Sequence, residues 1–74
     1  MELKGWVELE GSPLTSRELE ALLHTDPRTV ARFGGEFLLS WDGCMARDHL
    51  GIIPGPCPAG TIVCGGEEIA KVRP

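Results

Sequence analysis

The chain has no cluster of lysine and arginine, no apolar run long enough to span a membrane, and no signal-peptide pattern at its N-terminus. Its seven basic residues are scattered and the net charge is −4, which argues against nucleic acid as a partner. These absences lead to the expectation of a cytoplasmic protein without a membrane or nucleic-acid role. The three residues Cys44, Cys57 and Cys64 make an odd set, and without a secretory signal that argues against a disulfide scaffold. Internal repeats and linkers are absent.

What remains fits one domain, residues 1–74. A domain of this size is expected to have a folding stability of roughly 4–11 kcal/mol and to bury roughly 60% of its unfolded surface. A shallow site, or one shared with a partner, suits it better than a deep enclosed one.

Residues 1–10 alternate as a strand, with Leu3, Gly5, Val7 and Leu9 on one face and Lys4, Trp6, Glu8 and Glu10 on the other. Gly11-Ser12-Pro13 ends it. Thr15-Ser16-Arg17-Glu18 is a capping box, with Leu14 and Leu19 at staple spacing, and predicts a helix over residues 16–24. Leu19, Leu22 and Leu23 form its apolar stripe, and His24 in the last turn suits the helix dipole. Asp26-Pro27 predicts a second helix start, with Asp26 as N-cap, Val30 and Phe33 inward, and Gly34-Gly35 as the stop.

Residues 36–48 read as a hairpin, and Asp42-Gly43 is the strongest turn signal in the chain. A two-residue loop there sets Trp41 opposite Cys44, Leu39 opposite Ala46 and Phe37 opposite Asp48. Phe37, Leu39, Trp41, Cys44 and Ala46 then share one face, and Leu38 and Met45 lie on the other beside Glu36, Ser40 and Arg47. Residues 51–60, rich in proline and glycine, read as a loop. Residues 61–64 form a short strand, Gly65-Gly66 a turn and residues 68–72 a last strand. The expected fold is α+β: a four- or five-stranded, mostly antiparallel sheet with one or two helices on one face.

Two segments carry a family resemblance. Phe33-Gly34-Gly35-Glu36-Phe37-Leu38-Leu39-Ser40-Trp41-Asp42-Gly43, followed by Arg47-Asp48-His49-Leu50-Gly51-Ile52-Ile53-Pro54, resembles the GxFAF strand, turn and ARDxxGxxP segment of the class II glutamine amidotransferases, the glutaminase domain of asparagine synthetases among them. Pro58-Ala59-Gly60 and the strand after it resemble that family's later strand pair; residues 15–23 and the first strand resemble its helix and Asn-Gly strand more weakly. The resemblance covers the chain from Arg28 onward, with a large deletion after Pro54, and implies a partial amidotransferase fold of the Ntn (N-terminal nucleophile) type.

The departures bear on function. The family uses an N-terminal cysteine as nucleophile and base; residue 2 here is Glu. Its glutamine-binding Asn-Gly pair falls near Gly5-Trp6-Val7, which holds no Asn, and Ser16-Arg17 stands where its helix starts with an acid. The arginine that clamps substrate lies in a segment this chain does not contain. Nucleophile, oxyanion donors and substrate clamp are all needed for the reaction, so the chain is expected not to be an enzyme and to need no cofactor.

Other candidate sites have plainer readings. Cys44, Cys57 and Cys64 with His49 lack zinc-knuckle spacing and read as buried or incidental thiols, so no metal is expected. Cys57 with His49 or His24 has no orienting residue or oxyanion motif. The glycine pairs lack the lysine and strand–loop–helix context of a phosphate loop. Arg47 and Asp48 are candidates for contacting a ligand; the plainer reading has them hold the loop over residues 50–54, with Asp48 taking backbone N–H partners, because an unpaired buried carboxylate is costly. Trp6, Leu38 and Met45 on the second sheet face are candidates for facing a protein partner or a second copy.

Three functions follow as expectations. The first is a non-catalytic interaction or regulatory domain that binds a protein partner or self-associates. The second is a module binding glutamine or a related amino acid near residues 47–53. The third is a partial amidotransferase subunit completed by another chain.

Overall fold

The computed structural model describes all residues from Met1 to Pro74. Six strands form one antiparallel sheet: β1 (Glu2–Leu9), β2 (Ser12–Pro13), β3 (Gly34–Trp41), β4 (Cys44–Arg47), β5 (Thr61–Cys64) and β6 (Glu67–Lys71), in the order β2-β1-β3-β4-β5-β6. Helix α1 (Ser16–Thr25) and a 3-10 helix (Pro27–Arg32) connect β2 to β3. The class is α+β, as the sequence predicts. No helix is long and apolar enough to cross a membrane.

The sheet has six strands where four or five are expected. The extra one is β2. Glu10 and Gly11 both take positive φ, 53° and 81°, and turn the chain back so that Ser12 and Pro13 pair with Leu9 and Glu8. Asp42-Gly43 (φ 41° and 77°) and Gly65-Gly66 (φ 59° and 84°) use the same left-handed pair of conformations to join β3 to β4 and β5 to β6, as two-residue hairpin loops require. The hairpin register is the expected one, with Trp41 opposite Cys44 and Leu39 opposite Ala46.

The capping box forms in full. The Glu18 N–H donates to the Thr15 hydroxyl at 3.1 Å, and the Thr15 N–H donates to the Glu18 carboxylate at 3.0 Å. That backbone bond first, and the Thr15 hydroxyl second, hold the Glu18 carboxyl below its ordinary range. A folded-state value below the unfolded one means the linked stabilisation is complete above the unfolded value and is lost as pH falls through the folded one. A titration following the Glu18 carboxyl carbon should show a midpoint below that of the unfolded chain, and Thr15→Ala, which removes the hydroxyl but keeps the larger backbone contribution, should narrow the difference. Equal midpoints in the parent and variant would contradict this account.

The second helix departs from expectation in two ways. It is 3-10 rather than α, and the Asp26 side chain makes no capping hydrogen bond. Asp26 instead closes α1, its N–H donating to the Leu22 carbonyl at 2.8 Å. Gly34 and Gly35 open β3 rather than merely stopping the helix.

One sheet face and the helices enclose the core. Val7, Phe37, Leu39, Trp41, Ala46 and Ile62 pack with Leu19 and Leu23 of α1, Val30 of the 3-10 helix, Phe33 and Val72. These sheet residues belong to the face that strand alternation assigns inward. Asp26 aside, the helical layer therefore docks through the residues that its periodicity singles out.

Cysteine pairing is a further correction. Cys44 and Cys64 stand directly opposite on β4 and β5 and form a disulfide; Cys57 is free and buried. Each bonded cysteine sits beside a glycine of a hairpin turn, Gly43 or Gly65, and the N–H of Gly65 donates to the Gly43 carbonyl at 3.1 Å. The two turns thus bring the sulfurs together at the same end of the sheet, at Cα positions 4.1 Å apart.

Candidate functional site

The second sheet face is covered by residues 48–60, which join β4 to β5. Arg47 and Asp48 hold this connection from opposite faces of the sheet. Asp48 is buried. One carboxylate oxygen accepts the Phe37 N–H at 2.9 Å; the other accepts the N–H groups of Leu50 at 3.2 Å and Gly51 at 3.0 Å. The Asp48 carbonyl also accepts the Gly60 N–H at 2.9 Å, which closes the base of the loop. Arg47 is half-buried. Its Nε donates to the Ile53 carbonyl at 2.9 Å, Nη1 to that of Cys57 at 2.9 Å and Nη2 to that of Gly51 at 2.8 Å.

These contacts follow from charge and burial. A buried carboxylate needs donors and a guanidinium needs acceptors. The loop backbone supplies both, in separate places, so the two side chains do not pair with each other. The Arg47 guanidinium draws three carbonyls, those of Gly51, Ile53 and Cys57, toward one point, and the loop cannot lift without breaking those bonds.

Fixed in this way, the loop lies over the second face. Ile53 approaches Gly5, where a methyl group on the Cα would collide with both the Ile53 side chain and the Glu36 carbonyl; Gly55 lies over Leu38, so close that a Cβ there would come 2.6 Å from Leu38 Cδ1. Pro56 and Cys57 share a shallow cleft of about 660 Å³ with Ser40, Met45 and Val63. Leu38 and Met45 are consequently only half-exposed, whereas Trp6 remains exposed at 48%. The three residues singled out from the sequence are on one face, but the loop covers Leu38 and Met45 and leaves Trp6 exposed.

Leu50 and Ile52 carry a signal that alternation along the strands does not give. They are exposed at 70% and 57%, on the loop itself. Leu50 borders Gly34 and Gly35, and Trp6 packs against Gly35, so Trp6 and the first turn of the loop meet at the same end of β3. Apolar residues in a segment that reads as a loop are the available sign of this surface.

The nucleophile and metal candidates are not assembled. Cys57 lines the shallow cleft, while His24 and His49 border other depressions. No group of three or more histidine, cysteine, aspartate or glutamate side chains is placed to hold a metal ion. Comparison with known protein families, curated proteins and solved structures finds no match to this chain.

Proposed function

We propose that the chain is a non-catalytic, amidotransferase-like domain of Ntn descent that binds another protein through its exposed apolar side chains Trp6, on β1, and Leu50 and Ile52, on the loop between β4 and β5. The descent rests on the resemblance at residues 33–43 and 47–54, and the lack of catalysis on the missing glutamine-binding residues. The observation that carries the binding role is exposure: of five large apolar side chains standing exposed, Trp6 on β1 and Leu50 and Ile52 on the loop make three. The loop is held by six side-chain hydrogen bonds from Arg47 and Asp48. A preorganised apolar surface loses less entropy on binding than a mobile one.

No cofactor, nucleic acid or membrane enters this reading. A cytoplasmic setting does, and it requires the Cys44–Cys64 bond to withstand a reducing thiol pool. Binding of glutamine near Arg47 is disfavoured because the guanidinium already serves three carbonyls of the loop.

The test is capture of a partner from native lysate by the tagged chain, compared with a Trp6→Gln, Leu50→Lys, Ile52→Glu variant. A specific partner should be retained by the parent and lost at least about tenfold in the variant, as anchor residues of an interface dictate. Equal capture, or none, would sink the proposal. Glutaminase activity appearing only with the captured protein would favour the partial-subunit reading instead.

A further inference from the structure

We infer that the open edge of β1 pairs with the same edge of a second copy of the chain, antiparallel about a two-fold axis at Leu3. This goes beyond the partner surface and uses neither Leu50 nor Ile52, so the two proposals fail separately.

Part of the β1 backbone has no strand beside it. β3 pairs with β1 from Glu2 to Glu8, but β2 pairs only with Glu8 and Leu9 on the other side. Phe37 of β3 turns both its N–H and its carbonyl to Asp48. Its partner on β1, Gly5, therefore faces away from β3, and alternation places Leu3 and Val7 in the same class. The Val7 carbonyl confirms the parity by accepting the Leu14 N–H at 2.9 Å. Leu3 and Gly5 have no strand on that side.

The lane beside Val7 is already filled by Leu14, so an incoming strand has room only opposite residues 1–6. Among antiparallel self-pairings, an axis at Gly5 would set Leu3 against Val7 of the second copy and collide with its occupied lane. An axis at Lys4 would set two lysines face to face, which destabilises a strand pair. An axis at Leu3 makes a mutually hydrogen-bonded Leu3 pair and sets Glu2 opposite Lys4 of the second copy, twice. The edge is thus self-complementary in charge and register, as a two-fold interface requires.

The opposite edge is guarded. β6 carries a register irregularity opposite Ile62 and Val63, and a Lys71–Glu68 ion pair at 3.0 Å, both of which discourage strand addition. Pairing at β1 would join two six-stranded sheets into one and place half-buried Leu3 against its symmetry mate beside the core.

Sedimentation equilibrium at concentrations up to about 1 mM, together with amide exchange, tests this. The parent should dimerise, and the Leu3 amide should gain protection as concentration rises. Lys4→Glu should raise the dissociation constant about tenfold or more, and adding Glu2→Lys to it should restore the parent value. Both side chains are on the exposed surface, and circular dichroism checks that the variants fold. The Trp6/Leu50/Ile52 variant should dimerise like the parent. A monomer at every concentration, a dimer indifferent to the charge swaps, or a Leu3 amide that stays unprotected would each overturn the inference.

Discussion

Replacing Asp48 by alanine is expected to lower the unfolding free energy by about 3–5 kcal/mol, because it strands backbone donors that a buried charge now satisfies. Three N–H groups converge on this carboxylate, and that of Phe37 lies beneath a side chain with no solvent exposure. Water reaches the Leu50 and Gly51 amides more readily than the Phe37 amide, so the Phe37 donor should account for the largest share of the loss. The effect is a large fraction of the roughly 4–11 kcal/mol expected for a domain of this length. Asp48→Asn should fall between the parent and the alanine variant, since its amide keeps one accepting oxygen and turns donors toward the remaining N–H groups. Urea denaturation measures the loss, and exchange at the Phe37 amide reports where it is felt. A loss in Asp48→Ala below about 1 kcal/mol, the size of one ordinary hydrogen bond, would show that the carboxylate does not hold the loop.

Removal of the Cys44–Cys64 bond should have the second large effect. The bond closes a chain segment of 20 residues in sequence separation. Restricting a loop of that size in the unfolded chain corresponds to about 3 kcal/mol. Cys44→Ser combined with Cys64→Ser, or reduction of the parent with a dithiol, should lower stability by that order. Alkylation of denatured, unreduced protein should find Cys57 alone. Three reactive thiols before reduction, or a double variant as stable as the parent, would refute the assignment. The residues joined by the disulfide bracket the whole connection that Asp48 and Arg47 clasp. Combining the serine pair with Asp48→Ala should therefore give a loss that differs from the sum of the separate losses, because both act on the same segment.

How much of this was legible in the sequence depends on the range of the interaction. The Asp42-Gly43 hairpin could be read with its register because a two-residue loop needs two left-handed residues and leaves one way to pair the flanking strands. The capping box was equally readable, since its reciprocal bonds join residues three apart. The need of Asp48 for backbone N–H partners followed from burying a carboxylate, although Phe37 as one of the donors did not.

Sequence alone thus determined the local elements: the hairpin and its two faces, the start of α1, and the loop rich in glycine and proline. Tertiary structure decided the rest. Only in the fold does β1 lie beside β3, leaving its far edge open past the two residues of β2. Only there do Cys44 and Cys64 meet, and only there does the loop cover Leu38 and Met45 while Trp6 stays exposed. The division has a physical cause. Turn sterics and capping bonds act between residues a few positions apart and leave a pattern in the chain. Strand order, a cross-strand disulfide and the resting place of a loop depend on closing long segments, and which closure prevails is decided by the burial and hydrogen bonding of the whole molecule.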